Sequence, residues 1–233
     1  MRSKAYLIFE LLMVVAVIGL NIAFLNDYAA ETILLKSIAS LFFVLAAFCG
    51  YIQCKGNRAF SRFIFIAVIC CMAGDVFLAL DSDEILFVFG VTSFAVGHIL
   101  FSVAFCQISP VKKADIVATI VLLVSFLLLL CIGNFDFKGL FSILIFYAAI
   151  ISFMVIKALS LWPYRNYNVS GMRLLMLGGV LFLVSDLVLL FWLFGIDTAK
   201  EVQSLNWVLY YSSQICTTAA LNKCTNTFPI SDN

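Results

Sequence analysis

About eight apolar stretches follow one another along the chain, each near the ~20 residues that a helix needs to cross a ~30 Å hydrocarbon core. They lie near residues 5–25, 32–52, 62–80, 85–108, 116–132, 140–161, 173–194 and 202–221, with ends set to within ~3 residues. Lipid offers the backbone no hydrogen-bond partner, so such stretches must close their own bonds as helices. The breaks between them carry turn and charged residues: Asn26-Asp27, Lys55-Gly56-Asn57, Asp81 to Glu84, Pro110 to Lys113, Gly133-Asn134, Pro163 to Asn166 and Asp197 to Glu201. None is long enough to hold a soluble domain. The expected fold is all-α: one polytopic membrane helical bundle over residues 1–233. The first stretch follows Arg2 and Lys4, is too long for a signal peptide and has no A-x-A pattern after it. It is expected to remain as the first helix.

Composition agrees with lipid as the main solvent. Hydrophobic residues make up 64% and charged residues 12% of the 233, against roughly half and a quarter in soluble domains. This excludes a soluble enzyme and a disordered regulator. A net charge of +1 gives no field to gather nucleic acid. The 8 cysteines form no C-x-x-C pattern and there is 1 histidine, so no metal or cofactor is expected. The cysteines read as small packing residues.

Basic residues set the expected orientation. Arg2, Lys4, Lys55, Arg58, Arg62, Lys112, Lys113, Lys157, Arg165, Arg173 and Lys223 fall at one end of the spans, and only Lys36, Lys138 and Lys200 toward the other. This bias places both termini in the cytoplasm. The expected location is a plasma or inner membrane.

A shift of 111 positions lays the third span on the seventh. Arg62 then falls on Arg173, Asp75 on Asp186 and Leu78 on Leu189, while Lys36 falls on Tyr147 and His98 on Leu209, beside Tyr210. Two parallel four-helix halves explain this; chance agreement between apolar helices explains it as well.

An Asp at the bilayer centre costs ~2.5–3.5 kcal/mol on insertion scales, and an interhelical hydrogen bond contributes only ~0.6 kcal/mol on average. One partner does not offset one buried Asp, so intramembrane ionisable residues point to function. Asp75 and Asp186 each lie 13 residues, or ~20 Å, from a basic-end Arg. Lys36, Tyr147 and Tyr210 lie at similar depth, with His98 nearer the midplane. In the third span, Ala67, Cys71, Asp75 and Ala79 form a small-residue stripe. Ala95, His98 and Ser102 share a face of the fourth. Asn206, Tyr210, Ser213, Gln214 and Thr217 make a polar face on the eighth, suited to the bundle interior. Each of these also has a plainer reading. Lys36 snorkels or simply pairs with Asp75; His98, Tyr147, Tyr210 and Gln214 serve as interhelical glue. Glu10, near the cytoplasmic edge, is expected to reach water.

Several short motifs, in order, resemble the YhhN family of membrane proteins, which includes the lysoplasmalogenases. Leu34-Leu35-Lys36-Ser37 is similar to its Lys-Pro element, with Ser37 in place of Pro. Met72 to Leu78 is similar to its Gly-Asp motif. Phe94 to Phe101 is similar to its His-x-x-Tyr motif, with Phe101 for Tyr. Tyr147 to Ala158 resembles its helix 6 pattern, Phe182 to Asp186 its Ser-Asp motif, and Tyr210 to Gln214 its closing Tyr-and-Gln motif. The resemblance runs from the second to the eighth span.

The resemblance implies hydrolysis of the vinyl ether bond of a lysophospholipid, a lysoplasmalogen. The products would be a fatty aldehyde and a glycerophosphoethanolamine or glycerophosphocholine. Such chemistry needs one acid to protonate the alkene carbon and one carboxylate to activate water or stabilise the oxocarbenium ion, as in glycoside hydrolysis. Asp75 and Asp186 are the candidates. Lys36 and His98 are candidates for holding phosphate or tuning the pair; Tyr147, Tyr210 and Gln214 for positioning water and the glycerol hydroxyl. Membrane lipid would surround the chain and deliver the substrate laterally. Two rivals use the same Asp pair: a proton-coupled transporter and a non-catalytic lipid-binding protein. Transporter sites often sit where helices are broken by Gly or Pro; here Pro110, Pro163 and Pro229 lie outside the spans.

Overall fold

A computed structural model describes residues 4–54, 56–80, 84–137, 139–166, 168–196 and 198–223. Eight α-helices follow one another: α1 (Ala5–Leu25), α2 (Ala29–Gln53), α3 (Arg58–Ala79), α4 (Glu84–Cys106), α5 (Lys113–Ile132), α6 (Phe141–Leu159), α7 (Val169–Phe194) and α8 (Lys200–Lys223). A 3-10 turn at Trp162–Asn166 leads into α7. Among the described residues there is no strand, only one backbone bridge between Phe135 and Gly195. The chain is a multi-pass membrane protein with an all-helical bundle fold.

Seven of the helices are long and apolar enough to cross a membrane. The eighth, α8, falls short of that apolarity because it turns a polar face inward: Asn206, Tyr210, Ser213, Gln214 and Thr217 are all buried. Its neighbours α1, α2 and α7 cover those groups, so α8 sits as an inner helix of the bundle.

Helix pairing repeats between halves. The α3–α4 pair matches α7–α8, and α2–α3 matches α6–α7; α4 packs on α6 as α8 packs on α2. Each half thus lends its fourth helix to the second helix of the other. The outer helices differ. α1 packs on both α2 and α8, whereas α5 packs chiefly on α6 and stands off from the rest. Glycines permit the closest approach. A Cβ on Gly74 would lie 2.6 Å from the Phe94 ring, and one on Gly90 2.7 Å from Leu78. Either would push α3 and α4 apart just where Asp75 faces the interior.

α1 begins and α8 ends at one end of the bundle, where Lys4, Arg58, Arg62, Lys112, Lys113, Arg173 and Lys223 also lie. The basic residues Arg2, Lys55 and Lys138, the loop residues Asp81 to Asp83 and Asp197, and Cys224 and Pro229 lie outside the described residues. The other seven cysteines are free thiols. At the opposite end, Lys200 pairs with Asp27, tying the α1–α2 turn to the start of α8.

Glu10 sits differently from expectation, and Lys157 lies at the expected end but is turned inward. Glu10 does not reach water: it is buried where α1 meets α8 and accepts a hydrogen bond from Thr218 Oγ1 at 2.8 Å. Lys157 lies at the basic end but is fully buried; its Nζ meets Asp115 Oδ2 at 2.9 Å and the Pro110 carbonyl at 3.3 Å. That contact clamps the α4–α5 connection onto α6.

Candidate active site

Each Asp of the repeat is held by two helices, and the helices correspond. Asp75, four residues from the end of α3, is met by α2 and α8. Ser40 Oγ donates to its Oδ2 at 2.7 Å, Tyr210 OH donates to the same oxygen at 2.7 Å, and Lys36 Nζ lies 3.6 Å from Oδ1. Behind them Tyr211 OH reaches Ser40 Oγ and the Lys36 carbonyl, both at 3.2 Å. Ser40 lies one turn after Lys36, so the two side chains share the face of α2 that looks at Asp75.

Asp186, in α7, is met by α6 and α4. Tyr147 OH donates to its Oδ2 at 2.7 Å. His98 Nε2 lies 2.9 Å from that hydroxyl and 3.4 Å from Oδ2. With the tyrosine proton committed to the carboxylate, Nε2 is the donor to the tyrosine oxygen. His98 is fully buried, its ring edge-on to Phe182 at 4.5 Å, and its Nδ1 has no protein partner. The Asp186 side chain is 13% exposed, against 3% for Asp75.

The two acids line one cavity. Lys36, Asp75, Asp186 and Tyr210 line it, with Gln203, Asn206, Trp192 and Trp207 on its polar side. Asp186 also borders a second cavity, walled almost entirely by Leu, Ile, Val and Phe from α3 to α7, with Tyr147 as its other polar group. Leu78, Phe87, Phe94, Leu189 and Leu193 form the partition common to both. Asp186 is therefore the carboxyl that faces a polar and an apolar space at once.

A model of the YhhN family matches residues 31–221. The chain belongs to the YhhN family. No curated protein and no solved structure matches it. The match in this YhhN protein takes in α3 to α7 and nearly all of α2 and α8, and so every residue of both acid clusters; α1, with Glu10, lies outside it.

Of the seven residues singled out from sequence, six gather around the two acids: Asp75 with Lys36 and Tyr210, Asp186 with His98 and Tyr147. Gln214 does not. It lies one turn from Tyr210 toward the basic end, fully buried beside the Cys71 thiol. It lines neither cavity. The family's Lys-Pro and His-x-x-Tyr departures are absorbed locally. Ser37 Oγ donates to the Ile33 carbonyl within α2, and Phe101 is buried against Phe105 and Phe182.

Sequence reading missed Ser40, Tyr211, Gln203, Trp192 and Trp207. A helical Ser can satisfy its hydroxyl on its own backbone and carries no signal of its own. The four-residue step from Lys36 to Ser40 was the one available clue, and it acquires meaning only once α3 is known to face it.

Proposed function

We propose that this protein is a membrane-embedded hydrolase that cleaves the vinyl ether bond of a single-chain lysophospholipid, a lysoplasmalogen. The observation that supports this most directly is the pair of carboxyls, one from each half, on the wall of one partly polar cavity inside the bundle. Membership of the YhhN family supports the same class of reaction.

In this reading Asp186 is the acid and Asp75 the base. Asp186 borders the apolar space where an alkenyl carbon would lie. It gives its proton to the alkene carbon distal to oxygen, leaving an oxocarbenium ion. Asp75, beside the Lys36 ammonium, takes a proton from water as the water oxygen bonds to the carbon next to the ether oxygen. The hemiacetal then collapses: its hydroxyl proton returns to Asp186, its C–O bond breaks, and the departing glycerol oxygen takes the proton held by Asp75. One water is consumed, both carboxyls are restored, and the products are fatty aldehyde and glycerophospho-alcohol. Tyr147 and His98 orient Asp186; Ser40 and Tyr210 orient Asp75. Lys36, on the cavity wall, is the cation available to a phosphate. General acid–base catalysis of this kind contributes roughly 10²–10⁴-fold per group.

A transporter reading fits the helices less well. α3 and α7 run unbroken through both acids, whereas transporter sites are commonly built on interrupted helices.

The test is a panel of single-chain lysolipids bearing a vinyl ether, an ester or an alkyl ether, offered to the purified protein in detergent with no gradient. The expected result is aldehyde from the vinyl ether alone. Unaltered vinyl ether in the presence of folded protein would overturn the proposal.

A further inference from the structure

The two cavities differ in kind, and the reacting group sits where they meet. The first carries Lys36, Gln203, Asn206 and two Trp residues. The second is hydrocarbon-lined and runs along α7 from Asp186 to Phe194, ~12 Å at 1.5 Å per residue. Its far end is closed by aromatic rings. Phe194 packs against Phe87 at 6.3 Å and Phe137 at 6.0 Å, and Asp136 N–H bonds to the Phe194 carbonyl at 2.8 Å. The lateral wall is thinner. α5 packs chiefly on α6, and its buried side chains are Asp115 near the basic end plus Phe126 and Leu130, both on the cavity wall. One face of α5 looks outward, with Ile116, Val117, Ile120, Val121, Val124 and Leu128 exposed.

We propose that this α4–α7 compartment is the hydrocarbon-chain subsite, entered sideways from lipid past α5, and that Phe126, Leu130 and Leu144 set the accepted chain length. The inference rests on the hydrolase reading for its substrate and extends it to how that substrate is seated. An amphiphile with its head near Lys36 and its chain beneath Phe194 passes its first chain atoms over Asp186. A second chain on the same glycerol would lie against Lys36, Gln203 and Asn206, where it would strand polar groups without partners. Burying apolar chain there is disfavoured, because polar groups lose hydration without gaining bonds. The site therefore selects one chain over two by the chemistry of its walls.

Two measurements test this separately from the reaction. In the first, the wild-type protein is incubated with a saturated 1-O-alkyl lysophosphoethanolamine carrying a diazirine at its chain end, irradiated and mapped by peptide mass spectrometry. The alkyl ether has no alkene to protonate, so labelling does not depend on catalysis. Label concentrated between residues 126 and 151 and at 187–194 is the expected result. Label on outward residues such as Ile116, Ile120 and Val121, with none on Phe126, Leu130, Leu144 or Leu193, would overturn the subsite, whatever the enzyme does. In the second, Leu144→Trp is compared with wild type across vinyl ether lysolipids of 8 to 18 carbons, a range of about that span chosen to bracket the subsite. A pocket changed by even one methylene shifts selectivity by ~10–200-fold. The ratio of kcat/KM for long over short chains should fall at least ~10-fold. An unchanged ratio in an active variant would contradict the chain-length assignment. Labelling within the compartment combined with no hydrolysis of any substrate would retain the subsite and refute the hydrolase.

Discussion

Asp75 and Asp186 occupy matching places in the two halves, but their surroundings have diverged. Where the first half supplies Lys36 from α2, the second supplies Tyr147 from α6. Where α8 supplies Tyr210, α4 supplies His98. Asp75 has three partners, one of them an ammonium, and is almost fully enclosed. Asp186 has two partners on one oxygen and a side chain open to two cavities. At ~0.6 kcal/mol for an average interhelical hydrogen bond, the contacts at Asp75 approach the ~2.5 kcal/mol lower estimate for inserting an Asp. Those at Asp186 fall well short. Matching helix pairings thus hold one carboxyl by opposite charge and leave another under-matched at the edge of an apolar space. Division of labour between two acids needs that asymmetry.

The comparison is broken most severely by removing the carboxylates. Asp186→Asn and Asp75→Asn should each lower aldehyde release by ~10²–10⁴-fold while the protein still elutes as a folded species from size-exclusion chromatography. Full activity in either folded variant would remove that residue from the chemistry. Next in size is Lys36→Met, which leaves a buried carboxylate without its cation. Breaking a buried pair costs ~3–5 kcal/mol, so thermal unfolding in detergent should drop sharply. Adding Asp75→Asn to Lys36→Met should recover most of the loss in stability and none of the activity. A single variant as stable as wild type would show that Lys36 does not compensate Asp75.

Tyr147→Phe probes the other half. It removes the hydrogen bond to Asp186 and the one from His98, so stability should fall by only ~1 kcal/mol at an average of ~0.6 kcal/mol each. Aldehyde release should fall by ~10-fold at saturating substrate, near the lower end of what a mispositioned acid costs. If kcat holds and only KM rises, Tyr147 contacts substrate instead of orienting the acid. The smallest effect is expected from Thr218→Val, which deletes the bond to Glu10 outside both cavities. Stability should change by less than ~1 kcal/mol, and the chain-length profile should remain that of wild type.

Much of the bundle was legible before any coordinates. The apolar runs at 5–25 and 116–132 correspond closely to α1 and α5, because helix length in lipid is set by the hydrocarbon thickness. Asp75, Asp186 and their cationic and phenolic partners stood out because polar groups in lipid are costly enough to be rare. What was not legible depended on rotation and on neighbours. Glu10 and Lys157 lie where a charged side chain can either snorkel or turn inward. Thr218 on α8 and Asp115 on α5 decide the matter, and neither lies near its partner in sequence. Gln214 shares a face with Tyr210 yet misses both cavities, because the cavities close before the next turn of α8. The division into a polar and an apolar space arises from α5 standing away from α4 and α7, a packing outcome that no local pattern records.

The central claim is that Asp186 protonates the alkenyl carbon of a lipid seated across both cavities. The most direct measurement is rapid-quench hydrolysis of a vinyl ether lysolipid in D2O, with the aldehyde trapped as it forms and analysed by mass spectrometry. Wild type should yield aldehyde carrying one solvent deuterium on the carbon next to the carbonyl, and Asp186→Asn should yield almost none. Aldehyde without deuterium, or labelled aldehyde formed at the wild-type rate by Asp186→Asn, would contradict it.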